Sequence, residues 1–180
     1  MADDELDDII PTERFTSEPD SGSENTKAPP LMINGQYVKD LSFEAPNAPE
    51  IFNLMQGEVP AIQVDIDVEA EPKGDNLFEV ALTVRAEARL KDELAYLCEI
   101  EYAGLFTLNV PEDHLGPVLL IECPLIVFPF LRRIISDVTG DGGFAPLMLA
   151  HMDFAALNQQ RMIAEQDAKQ PKDDPNKSDT

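Results

Sequence analysis

Between Ala61 and Tyr102 three successive stretches alternate apolar and polar residues, and that period of two dictates a β-sheet. Ile62, Val64, Ile66 and Val68 alternate with Gln63, Asp65, Asp67 and Glu69. Phe78, Val80, Leu82 and Val84 then oppose Glu79, Thr83 and Arg85, and Tyr96, Cys98, Ile100 and Tyr102 oppose Leu97, Glu99 and Glu101. Successive side chains of a strand point to opposite faces, so each stretch gives one face to a core and one to water. Lys73-Gly74-Asp75-Asn76 and Lys91-Asp92-Glu93 supply the turns. A further strand lies upstream, where Leu41 and Phe43 alternate with Asp40, Ser42 and Glu44. Ala45-Pro46-Asn47-Ala48-Pro49 closes it, because proline cannot donate to a ladder. The connection that follows carries Ile51, Phe52, Leu54 and Met55, an apolar content that a plain surface loop does not need. Four strands, short turns and one long excursion predict a mostly antiparallel meander.

The second half reads differently. Val118–Leu131 is almost continuous in apolar character, interrupted by Glu122, Pro124 and Pro129. It is too short and too broken for a bilayer span, which takes roughly 20 apolar residues. An interior proline costs a helix about 3 kcal/mol, so a straight helix across the region is not expected. The regular part is predicted at Ile126–Thr139, kinked near Pro129 and stopped by Gly140. Such a segment needs a large packing surface, which points to a subunit interface. Gly140–Gly143 then reads as a joint and Phe144–Leu149 as an extended apolar loop. Asp153 is placed to cap a last helix, on which Phe154, Leu157 and Met162 form a stripe.

Charge excludes several classes of function. With 13 Lys and Arg against 35 Asp and Glu, the chain of 180 residues has a net charge of -22. That repels nucleic acid and anionic membrane surfaces and attracts basic partners. Residues 1–30 hold nine acids against Arg14 and Lys27, a composition expected to be disordered; residues 166–180 read as a loose tail. The opening MADDELDDII is the opposite of a signal peptide, so a cytoplasmic protein is expected. Cys98 and Cys123 lie in apolar runs and read as buried spectator thiols. His114 and His151 belong to no ligand or triad pattern, and Gly140–Gly143 lacks the lysine of a phosphate loop. Nothing supports an enzyme. What remains is an acidic outer sheet face (Asp40, Glu44, Asp65, Asp67, Glu99, Glu101), either a binding face or an ordinary solvated one, and apolar segments around Met55, Met148 and Met152, either adaptable surface or plain core.

Lys39-Asp40-Leu41-Ser42-Phe43-Glu44-Ala45-Pro46-Asn47-Ala48-Pro49 resembles the hallmark first strand of the SecB protein-export chaperones. Cys123-Pro124, Phe128-Pro129-Phe130, Gly143-Phe144 and Leu147-Met148-Leu149 resemble a second hallmark region, and Asp153-Phe154 with Leu157 the start of the last helix. The resemblance spans about residues 33–163 and suits an alphaproteobacterial member; Ala145 and His151 stand where many relatives have proline. It implies an α+β fold: a four-stranded antiparallel sheet with two helices packed on one face, in residues 31–165, assembling as a dimer of dimers. It also implies an ATP-independent chaperone, not an enzyme, that holds unfolded secretory precursors and delivers them to the SecA ATPase. The resemblance places SecA contacts at Asp40, Glu44, Leu97 and Glu99, and a client groove at Phe52, Leu54, Phe144, Leu149, Phe154 and Leu157. No cofactor and no metal are implied, because the zinc of the handover belongs to SecA. Alternatives are a SecB-like chaperone dedicated to an antitoxin or other single client, and a plain ligand-binding or scaffold domain.

Overall fold

The structure, a computed structural model, describes residues 29–169. Four long strands run in chain order as β1 (Leu31–Glu44), β2 (Ala61–Gly74), β3 (Leu77–Leu90) and β4 (Glu93–Leu108). They form one antiparallel sheet in the spatial order β1-β4-β3-β2. The turns are tight because Asn76 and Lys91 accept positive φ, 58° and 56°, which asparagine tolerates well. β1 and β2 are opposite edges, so residues 45–60 must cross one end of the sheet. The short helix α1 (Glu50–Leu54) lies in that crossing, with Ile51 fully buried and Asn47 Nδ2 donating to the Leu94 carbonyl at 3.0 Å.

After β4 the chain turns helical and stays so through Asp141. α2 (Glu112–Pro117) passes into a π-helical turn (Val118–Glu122) and then into α3 (Cys123–Asp141). This corrects the expectation of a helix confined to Ile126–Thr139. The prolines are placed where they do least harm. Pro117 closes α2, and Pro124 sits in the first turn of α3, where no intrahelical N–H is needed. Before it, the Cys123 N–H reaches back five residues to the Val118 carbonyl. This wider winding leaves room for the Pro124 ring, which in a regular helix meets the carbonyl four residues earlier. Pro129 is borne inside α3. The stop is Gly142–Gly143 rather than Gly140: Gly143 has φ +86°, and Gly142 N–H bonds the Val138 carbonyl at 2.9 Å. The last helix, α4 (Phe154–Lys169), opens where Asp153 Oδ1 accepts from the Ala156 N–H at 3.0 Å, the expected cap.

The core is one seam. Cys123, Val127, Leu131, Ile135 and Thr139 recur every fourth residue along α3, and all are fully buried. They lie on Val80, Leu82 and Val84 of β3 and Tyr96, Cys98, Ile100 and Phe106 of β4. A strand residue with no side chain lets the layers meet. A Cβ on Gly104 would run into the Phe106 ring and Val127. α3 covers β4, β3 and β1, while the π turn reaches β2. Hence β2 is only half buried on its apolar face: Val68 is 6% exposed, but Ile62 is 42% and Val64 36%. The full apolar stripe expected of β2 is therefore not core.

The acidic extension and most of the tail, both expected to be loose, lie outside the described residues. Pro29 and Pro30 are tied in, since Asn109 donates to both carbonyls, at 3.0 and 2.8 Å. At the other end α4 continues through residues 166–169, which the sequence reading gives to the tail.

Gly104 and Gly116 separate packing from propensity. Gly104→Ala is expected to lower the unfolding free energy by about 1–3 kcal/mol through overpacking. Gly116→Ala, which meets nothing within 4 Å beyond its chain neighbours, is expected to cost less than Gly104→Ala, because its new Cβ is crowded only by the ring of Pro117. Urea titrations of both variants check this, and equal destabilisation contradicts it.

Candidate functional site

The sheet has two unlike faces. Phe43 pairs with Cys98 and its ring packs where a Cβ of Gly142 would stand, so this parity faces the helices. The opposite parity carries Asp40 across from Glu101, Ser42 from Glu99 and Glu44 from Leu97. All four residues expected at a SecA contact, Asp40, Glu44, Leu97 and Glu99, thus lie on the open face of two neighbouring strands. A register shift between Val38 and Asp40 puts Lys39 on this face as well, where its Nζ reaches Glu79 Oε1 at 2.9 Å and Glu101 Oε1 at 2.7 Å.

The open face is not uniformly anionic. Glu79, only 8% exposed, accepts from the Tyr37 hydroxyl and from Lys39, with Lys73 at 3.7 Å. The Tyr37 hydrogen bond and then Lys39 hold its carboxyl below the usual range; the same bond pushes Tyr37 up, while Glu101 first and Glu79 second push Lys39 up. Further along, Arg85 binds Glu99 and Glu87, and Arg89 binds Glu87. Glu99 is therefore a neutralised member of the expected contact. Asp40 and Glu44 have no ion pair or side-chain hydrogen bond among the described residues, so their charge is uncompensated. Sequence parity found the face; it could not find the pairing, since Tyr37 and Lys39 lie 42 and 40 residues from Glu79.

The six residues expected at a client groove fall into two places. Phe144 is 7% exposed and packs its ring against Phe43, Phe52 and Tyr96 at 6.2, 5.1 and 4.9 Å between centroids. This cluster joins the crossing segment to the loop after α3, and Leu54 lies at its margin, 52% exposed. The loop is pinned there by Thr139, whose hydroxyl donates to Ile135 O at 2.8 Å and accepts from the Leu147 N–H at 2.9 Å. Leu149, 5% exposed, belongs to the core. Phe154, 1% exposed, meets Phe128 edge-on at 5.7 Å. With Leu157 it lines a cavity of about 370 Å³ between α4, the π turn and the β2 edge. A second cavity of about 850 Å³ adjoins it, bounded by Ala70, Leu119, Leu120 and Met162. Phe144, Leu149 and Phe154 are thus buried, with Phe154 and Leu157 lining the cavity, while Phe52, Leu54 and Leu157 keep accessible surface.

Neither cysteine is placed for chemistry. Burial pushes the Cys98 thiol to about 11 and the Cys123 thiol to about 12, and both are fully buried. Among the described residues no three His, Cys, Asp or Glu side chains converge as a metal site, and no helix is long and apolar enough to cross a membrane.

Residues 24–165 match the family described as preprotein translocase subunit SecB. The protein-export protein SecB of Rhodospirillum rubrum is 50% identical over 137 residues, covering 76% of this chain and 85% of that protein. Its counterpart from Parvibaculum lavamentivorans is 51% identical over 141 residues, covering 78% and 83%. Both organisms are alphaproteobacteria. Among solved structures, the Mycobacterium tuberculosis SecB-like chaperone, in complex with an antitoxin peptide, superposes with a TM-score of 0.57 at 16% identity, covering 68% of this chain and 90% of that one. At that identity the likeness is one of fold.

The lowered carboxyl of Glu79 sets a pH dependence. Its stabilisation is complete above the ordinary carboxylate range and is lost as pH falls through its lowered value. Glu79→Gln is therefore expected to be less stable than wild type near neutral pH, with the gap closing in acid. Urea midpoints at about pH 7 and about pH 3.5 test it; a gap that persists in acid contradicts the assignment.

Proposed function

This chain belongs to the SecB family of protein-export chaperones, and on that premise we propose that it holds secretory precursors unfolded in the cytoplasm, without nucleotide, and delivers them to the SecA ATPase. The observation that carries the reading is the match over residues 24–165 to the export family, at about half identity with its named members. Those relatives also favour general export over service to one antitoxin.

The geometry supports each part of the proposal. For SecA, Asp40 and Glu44 present uncompensated charge beside Leu97, a half-buried apolar contact, on a rigid sheet. Such a patch attracts a basic partner at long range and offers it an apolar footing. For assembly, β1 is an open edge whose Met32, Ile33, Val38 and Leu41 are 41–46% exposed. An apolar edge of 14 residues invites pairing with a second sheet. Leu125 and Phe130, 42% and 46% exposed on α3, offer a second surface through which two dimers form the tetramer. For clients, Phe52 keeps accessible surface against the buried Phe144 ring, Leu157 lines a cavity with the buried Phe154, and Leu54 is exposed on α1. Several such sites on one assembly bind one unfolded chain by multivalency, so each contact is modest.

Two measurements test the proposal. Light scattering is expected to give a tetramer that takes up an unfolded secretory precursor and ignores the same protein once folded; a particle indifferent to unfolded chains refutes the chaperone reading. Asp40→Lys and Glu44→Lys are each expected to weaken SecA binding about tenfold or more, with the tetramer mass unchanged. Unaltered SecA affinity in both variants moves the contact elsewhere.

A further inference from the structure

Arg132, on α3, is the exception among the cations of the fold. From Lys39 to Arg161 every other lysine and arginine side chain is paired with a carboxylate, including that of Arg133, whose Nη1 lies 3.0 Å from Asp137 Oδ2. Arg132 has no ion pair among the described residues, and its Nε is buried without a hydrogen-bond acceptor there. In a chain of net charge -22 this is not for want of acids. A buried donor left unpaired costs free energy, and a charged one costs more, so Arg132 calls for an anionic acceptor. Arg132 and Arg133 line a cavity of about 270 Å³ with Pro129, Ser136, Asp137 and Met148. Met148 is 63% exposed there, and the Ser136 hydroxyl donates to its Sδ at 3.3 Å. The cavity thus sets two guanidinium groups beside an apolar thioether.

We propose that this cavity is the docking site of the chain's own acidic opening segment, residues 3–10, with a carboxylate of that segment on the Arg132 guanidinium. Charge complementarity selects the occupant: Asp3, Asp4, Glu5, Asp7 and Asp8 place five carboxylates in the first eight residues. A carboxylate meets a guanidinium through two parallel N–H···O bonds, so one of them satisfies Arg132. Leu6, Ile9 and Ile10 are interspersed with the acids and supply apolar side chains to Met148 and Pro129. The length of the chain permits the contact. Pro29 is where it joins the fold, its carbonyl accepting from Asn109 Nδ2 at 3.0 Å. About 20 residues separate Asp8 from Pro29, a length that reaches up to about 70 Å. The whole of α3, with 19 residues, is only about 28 Å long. Tethering raises the local concentration of the segment, so a weak contact suffices. Docking there holds the acidic segment on the helical side of the sheet, opposite Asp40 and Glu44, and the site does not depend on the chaperone reading.

A spin label on the segment tests the site in the full chain. Thr12→Cys takes the label selectively, since Cys98 and Cys123 are fully buried, and the methionine methyl groups are read by NMR. The Met148 methyl signal is expected to be lost to broadening, with Met55 and Met162 unchanged. Arg132→Gln is expected to restore it. So is replacing Asp3, Asp4, Asp7 and Asp8 by asparagine, a change that leaves the cavity itself intact. Salt at about 1 M, which shortens the screening length to about 3 Å, is expected to restore it as well. A Met148 signal unbroadened in the labelled protein overturns the proposal, as does broadening that survives both sets of substitutions. A changed assembly mass in Arg132→Gln, with Met148 still broadened, overturns it in favour of a second copy as the partner of Arg132.

Discussion

The approach of α3 to β4 at Gly104 is the contact on which the rest of the structure depends. One missing side chain lets Val127 sit against the strand, and the four-residue repeat of Cys123, Leu131, Ile135 and Thr139 then docks along the sheet. Burial of each large apolar side chain of this seam contributes about 1.5–3 kcal/mol, so the seam outweighs any single surface ion pair by a wide margin. It also fixes the end of α3, because Gly142 must reach the Phe43 ring. From that point the chain has to return through Phe144, which closes the aromatic cluster with Phe52 and Tyr96. The helix, the crossing segment and the return loop are thus one packing unit.

Sealing one sheet face against α3 obliges the other to be solvated, and the strands solve this with charge. The pairs are not evenly shared. Toward the Glu79 end, Tyr37, Lys39 and Lys73 gather around one nearly buried carboxylate, and Ala81 and Ala103 beneath them are as hidden as core residues. Toward the other end Arg85 and Arg89 neutralise Glu87 and Glu99. Asp40 and Glu44 lie on the edge strand beyond the reach of either group. With an edge position and no counterion among the described residues, they leave their charge open on the face.

This division explains what could be read in the sequence. A period of two survives any context, so all four strands, their turns and the common face of Asp40, Glu44, Leu97 and Glu99 were legible. The cap at Asp153 was legible because it is local. The long helix was not: three prolines argue against it residue by residue, and the π turn before Pro124 that accommodates them leaves no sequence signature. Nor could alternation tell which half of β2 is covered, since Ile62 and Val68 look alike until α3 has chosen which strands to cross. Pairings such as Tyr37 with Glu79 or Arg161 with Asp67 join distant segments, and only the register and the docking of α4 bring them together. The residues expected at a groove split for the same reason, because a stripe of apolar residues does not say which members become buried.

The apolar surface that remains follows from the same geometry. One helix layer cannot span four strands of 14 to 16 residues, so the sheet outgrows its cover at both edges. At β1 the excess is an unpaired strand edge flanked by apolar side chains, the kind of edge that a further strand can extend. At β2 the excess is covered in part by α4, with Phe154 buried against Phe128 and Arg161 paired with Asp67 at the rim. The two edges of the sheet thus end differently, one as an open strand edge and one beneath a helix, and the face between them turns its charge to solvent.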